Sequence, residues 1–160
     1  HIFARPSQVQ QEVVSLLEKS CDSAPHPVTF SIQREAEEVM VAGDPDQLKQ
    51  VLWNLGLNAI QAMPTGGRLT LAIRRHVFKH GLEWAAIELT DTGRGIPAKE
   101  AEQIFDPFYT TKPGGTGLGL TIVQKIIDHL GGRIEVSSGA GGGSTFRVLL
   151  KQASDEKGTG

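Results

Sequence analysis

The sequence predicts an α/β protein: a two-layer α/β sandwich, with helices packed on one face of a mixed, mostly antiparallel sheet. Three observations carry this. Alternating segments come in pairs, Arg68–Val77 with Trp84–Thr90 and Arg133–Val136 with Thr145–Leu150. Helix-patterned segments lie between the strands, an order that fits one sheet with a helical layer against it. One of these helices is apolar around most of its circumference, as a helix buried on most sides must be. The 160 residues amount to one domain.

In order along the chain, Ser7–Cys21 carries Val9, Val13, Leu16 and Leu17 at helical spacing. Val28–Ile32 alternates as a strand, and Val39–Ala42 is a second short strand closed by Gly43. Asp44 then caps a long helix to Met63, with Pro45 in its first turn and Pro64-Thr-Gly-Gly67 ending it. The strands Arg68–Val77 and Trp84–Thr90 flank a hairpin loop, Phe78–Glu83, that contains Gly81. Pro97–Phe105 reads as a short helix and Phe108–Gly119 as irregular. Leu120–Leu130 is a helix stopped by Gly131-Gly132, and two last strands follow across a glycine-rich turn.

Composition excludes several classes. Formal net charge is −2, and no basic stripe interleaves with aromatics, so nucleic acid is not an expected partner. The single cysteine, Cys21, permits no internal disulfide and no cysteine metal site. The histidines do not cluster at metal-ligand spacing. No signal peptide or membrane span is evident; the least charged stretch, Gln50–Gly67, carries amides that a lipid-facing helix would not tolerate.

Those amides form a pattern. On a wheel, Gln47, Gln50, Asn54, Asn58 and Gln61 fall in one stripe about 80° wide. Surface helices usually carry Lys and Glu there. Neutral amides suit a pocket that donates to phosphates or coordinates a hard cation through oxygen. The same amides also suit a core in which they satisfy backbone groups or one another.

Two glycine-rich loops follow. Asp91-Thr-Gly-Arg-Gly-Ile-Pro97 puts a carboxylate at the end of a strand. Taken alone it is a common turn, or one half of an aspartic-protease pair, but no second Asp-Thr-Gly occurs. Gly115-Thr-Gly-Leu-Gly119 runs into a helix, so its N–H groups form an anion nest. It lacks the Lys-Ser/Thr of a Walker loop and the strand of a dinucleotide fingerprint. Lys112 beside the nest is either a solvated lysine or a phosphate contact, and Phe105 and Phe108 anchor the segment.

Taken in order, these signals resemble the catalytic ATP-binding domain of bacterial sensor histidine kinases. That family shares a superfamily, and the Bergerat-type ATP-binding fold, with gyrase, a class of heat-shock chaperones and mismatch-repair ATPases. Asp46–Met63 resembles its N box, Asp91–Pro97 the G1 box, Phe105–Phe108 the F box and Gly115–Leu120 the G2 box. Gly141–Phe146 resembles the last glycine-rich box, and the wording of Phe105–Leu120 resembles nitrogen-regulation and dicarboxylate sensors. The resemblance implies ATP and Mg²⁺ as ligands. Asp91 would accept the adenine amine, with Gly93, Gly95 and Ile96 around the base and Thr145 supporting it through a water. Asn58 would hold Mg²⁺, Asn54 and Gln61 would line the phosphate end, and Ala62 would belong to the nucleotide site. Thr111, Lys112, Gly115, Thr116, Gly117, Leu118, Gly119 and Leu120 would cradle the phosphates as part of a lid.

Hydrolytic members of the superfamily place a Glu four residues before the Mg²⁺-binding Asn; this chain has Asn54 there, and an amide takes no proton at neutral pH. The resemblance therefore implies a protein histidine kinase that passes the γ-phosphate to a histidine on a separate dimerisation domain. No His here is followed by Asp or Glu, so that phosphoacceptor motif is missing. His1–Pro6 is expected to be a linker remnant, 7–151 the ATP-binding domain and 152–160 a flexible tail. The expected partners are the dimerisation domain and, through it, a response regulator. The fragment would be monomeric and inactive in autophosphorylation, and the full-length protein a homodimer. A cytoplasmic location is implied, with the parent free to be membrane-anchored. The alternative is a regulatory module that binds ATP without transferring phosphate.

Overall fold

The computed structural model describes residues 3–21, 27–34, 38–79, 81–95, 119–138 and 142–152. The chain runs β1 (Phe3–Ala4), α1 (Pro6–Ser20), β2 (Val28–Gln33), β3 (Val41–Ala42) and α2 (Pro45–Gln61). It continues β4 (Gly67–Lys79), β5 (Leu82–Asp91), α3 (Gly119–His129), β6 (Arg133–Ser138) and β7 (Ser144–Leu150). Five strands form the main sheet in the order β2-β4-β5-β7-β6. Among the described strands, only the β2–β4 pair is parallel. This is the expected two-layer sandwich.

The pleat sorts the two faces. Leu69, Leu71 and Ile73 of β4, Ala85, Ile87 and Leu89 of β5, and Phe146, Val148 and Leu150 of β7 share one core with the helices. Burying each of these side chains except that of Ala85 contributes about 1.5–3 kcal/mol. α2 touches both α1 and α3. Gly56 faces α1 closely: a Cβ there would lie 2.5 Å from Leu17 Cδ1, so the Leu17 side chain would have to shift. Buried Gln10 ties α1 to the sheet by donating to the Leu71 carbonyl at 2.8 Å.

The opposite face is polar over most of its area. One rung crosses all five strands with hydroxyl side chains: Ser31, Thr70, Thr90, Thr145 and Ser137 are successive register partners. On the next rung Glu88 pairs with Arg147 at 2.7 Å and with Arg74 at 3.6 Å. At the far end of the sheet Trp84, Ala86 and Leu149 cluster with Val77. The β4–β5 hairpin curls over this end, with Lys79 Nζ reaching Glu135 Oε1 on β6 at 3.2 Å.

Several boundaries differ from the sequence expectation, each for a local reason. α2 ends at Gln61 and not at Met63, since Met63 precedes Pro64 and a residue before proline is steered out of the helical region. Its start is as expected: Asp44 Oδ1 accepts the Asp46 N–H at 2.9 Å. The expected loop Phe78–Glu83 shrinks because the ladder continues to the Lys79–Leu82 pair, past a bulge between Arg74 and Val77 where His76 has φ +55°. Gly81, with φ +75°, sits in the tight turn that remains. β3 is shorter than Val39–Ala42 and stands outside the main sheet, pairing with β1 and bridging to Gln152. Phe3–Ala4 thus joins the folded unit, and Ala4 is buried. The expected helix Pro97–Phe105 lies outside the described residues. Among the described residues no helix is long and apolar enough to cross a membrane.

Candidate functional site

The inner face of the sheet is apolar until the last residue of β5. Asp91 stands there, following Ile87 and Leu89 on the core side, and is 4% exposed. An ionised carboxylate in such surroundings is costly unless hydrogen-bonded. Asp91 has two partners among the described residues: Oδ1 accepts the Gly93 N–H at 2.8 Å, and Oδ2 accepts the Ser144 hydroxyl at 2.8 Å. A carboxylate offers about four lone-pair positions. Capacity therefore remains for a donor from a ligand.

Glycines bring backbone close to this residue. A Cβ at Gly143, where φ is +82°, would lie 2.4 Å from the Asp91 carbonyl oxygen. One at Gly93 would lie 2.3 Å from the Ala62 carbonyl oxygen, at the C-cap of α2. The two loops are joined directly, since the Gly143 N–H donates to the Gly93 carbonyl at 2.6 Å. Gly95, with φ +80°, lies beside Gly143; a Cβ there would be 3.1 Å from the Gly143 carbonyl oxygen. The result is closely packed glycine backbone around the end of β5, with one buried acid.

α2 leads away from that end. Its inner side, Leu48, Val51, Leu52, Leu55 and Ala59, is buried. Along the amide stripe, Gln47, Asn54 and Asn58 are half-buried, while Gln50 and Gln61 are exposed. Asn58 lies one turn before Ala62, and so one turn from the Asp91 loop. Gly119 and Leu120 open α3, the former exposed and the latter packed on the core. The structure thus brings Asp91, Gly93, Gly95 and Ala62 together, with Asn54 and Asn58 further along α2. Ile96, Thr111, Lys112, Gly115, Thr116, Gly117 and Leu118 lie outside the described residues.

Thr145 does not join the group. It belongs to the outer face, where its hydroxyl lies 2.9 Å from that of Thr90. The side chain beside Asp91 is Ser144, which the sequence reading missed. The signal was present: Phe146, Val148 and Leu150 alternate on the core side, and alternation carries that side back to residue 144. The expected strand started one residue too late.

The donor set fits a nucleotide with a cation on its phosphates. A buried acceptor suits the amine of a base, and half-buried amides one to two helical turns away suit phosphate oxygens and a hard ion. Among the described residues no group of three or more His, Cys, Asp or Glu could hold a metal.

Comparison with known proteins gives the same direction. The family model described as histidine kinase-, DNA gyrase B-, and HSP90-like ATPase matches residues 43–154. The chain is 34% identical over 167 residues to the sensor histidine kinase ZraS of Klebsiella oxytoca, covering 98% of this chain and 35% of ZraS. It is 41% identical over 122 residues to sporulation kinase C of Bacillus subtilis, covering 76% of this chain and 27% of that kinase. The chain thus spans about a third or less of the length of these curated relatives. Among solved structures, the catalytic domain of histidine kinase ThkA superposes with a TM-score of 0.78 at 31% identity, covering 94% of this chain and 97% of that one. The mycobacterial sensor histidine kinase MprB, at 22% identity and a TM-score of 0.80, shares the fold. The chain belongs to the histidine kinase-, DNA gyrase B- and HSP90-like ATPase family, and within it resembles the catalytic domains of bacterial sensor histidine kinases.

Proposed function

We propose that this chain binds Mg·ATP and presents the γ-phosphate to a histidine on the dimerisation domain of its parent kinase, from which a response regulator is phosphorylated. The observation that carries the reading is the buried Asp91 carboxylate, held by Gly93 and Ser144 with acceptor capacity left over. An acceptor there favours adenine, which has an exocyclic amine, over guanine, which has a carbonyl at the corresponding ring position. Ser144 fixes the carboxylate's orientation and takes the supporting role first expected of Thr145. Asn58 would hold Mg²⁺ through its amide oxygen, with Asn54 and Gln61 along the phosphates. Bound Mg²⁺ would neutralise charge on the phosphate oxygens.

The chain's own contribution is positioning. Asn54 supplies no base to activate water, which favours delivery of the phosphoryl group over its hydrolysis. Lys112 and the Gly115–Leu120 amides would complete the phosphate cradle. A cytoplasmic location and a homodimeric parent belong to the same reading. The narrower nitrogen-regulation and dicarboxylate-sensor type rests on the wording of Phe105–Leu120 alone.

The test is transfer in trans. Radiolabelled Mg·ATP is mixed with this chain and the separate dimerisation domain of the parent protein. Label on that domain's histidine, appearing only when this chain is present, is the expected result. ATP binding without transfer would leave a regulatory module; rapid self-labelling of this chain alone would reveal an acceptor within it.

A further inference from the structure

The residue between the two functional positions of the Asp91 loop points elsewhere. Thr92 Oγ1 accepts the Arg68 N–H at 3.0 Å and donates to Met63 Sδ at 3.6 Å. The last β4–β5 register pair is Leu69–Asp91, so the Arg68 contact adds one side-chain rung beyond the ladder. Gly67 leaves the space for it: a Cβ there would lie 2.5 Å from Thr92 Oγ1 and 2.7 Å from Met63 Sδ. Met63 is buried and belongs to the turn that closes α2. Directly after Thr92, Gly93 abuts the Ala62 carbonyl. Three segments therefore meet on one hydroxyl: the end of α2, the start of β4 and the exit of β5.

We propose that Thr92 is a positioning residue that sets the span between the Asp91 carboxylate and the amides of α2, and so selects ligands long enough to engage both ends. This rests on the nucleotide reading of the Asp91 pocket. Thr92 touches no ligand in this scheme. It seats the Asp91 loop on the C-terminal end of α2, one turn from Asn58. A ligand held at one end only is indifferent to that seating. A ligand held at both ends must restore it on binding whenever it is lost, and loses affinity accordingly.

The test is titration of wild type, Thr92→Val and Thr92→Ser with Mg·ATP and, separately, with adenosine, with thermal unfolding recorded for each protein. Val keeps the shape and removes both hydrogen bonds; Ser keeps the hydroxyl. Thr92→Val is expected to weaken Mg·ATP about fivefold, the worth of one such bond, while adenosine binding changes less than about twofold. Thr92→Ser is expected to restore Mg·ATP binding. Should Thr92→Val fold poorly, Met63→Leu removes only the sulfur acceptor and is expected to weaken Mg·ATP about twofold while adenosine binding stays unchanged. Equal losses for Mg·ATP and adenosine, or no loss for either, overturn the span role and leave the pocket assignment standing. Failure of wild type to bind either ligand overturns both.

Discussion

Two pairs of side chains sit one rung apart on the same two strands. Asp91 and Ser144 face the helices; Thr90 and Thr145 face away. Both pairs are joined by short side-chain hydrogen bonds, at 2.8 and 2.9 Å. Their surroundings differ entirely. Asp91 and Ser144 are buried at the end of an apolar core, against glycine backbone. The threonine pair lies on a polar surface, beside the Glu88–Arg147 ion pair. A buried hydrogen bond that lacks a water alternative is costly to break, whereas an exposed one is readily replaced by solvent. Chemically similar rungs thus have different worth, and the pleat decides which is which.

Substitutions on the two rungs sharpen or break that contrast. The largest effect is expected at Asp91→Asn, which puts an amide where two donors already converge. Mg·ATP affinity measured by calorimetry is expected to fall at least ~100-fold, as on losing a charged hydrogen bond worth about 3 kcal/mol. Unchanged affinity would remove Asp91 from the site. Ser144→Ala comes next: Asp91 loses one donor but keeps Gly93, and the expected loss is about fivefold, near 1 kcal/mol. The smallest effect is expected at Thr145→Val, which preserves strand shape on the solvent side. Affinity should stay within about twofold and stability within about 0.5 kcal/mol. A Thr145→Val loss as large as that of Ser144→Ala would erase the distinction between the rungs.

The same one-residue phase marks the limit of what the sequence disclosed. The layer architecture, the Asp44 cap and the place of Asp91 at the end of a strand were legible, because periodicity and turn chemistry are local properties. The Ser144 partnership depends on where β7 begins, and the glycine-rich run before it blurred that boundary. Its apolar alternation would have corrected the phase had it been followed back from Leu150. The bonds of Thr92 were not legible at all. They join residues 63, 67, 68 and 92, and no periodicity in the sequence reports such a meeting. The pairing of β3 with β1 and Gln152 is likewise a long-range outcome.

The hydroxyl rung across the five strands bears on how the protein behaves in concentrated solution. An open sheet face made of valine and isoleucine would form strands well, but it would also present a dry plate on which another molecule's sheet could laminate. Threonine keeps the β-branched shape that strands favour, and its hydroxyl retains a layer of water. With Ser31, Thr70, Thr90, Thr145 and Ser137 in line, any stacking neighbour would have to strip that layer along the full width of the sheet. The face turned away from the helices thus favours hydration over lamination between colliding copies.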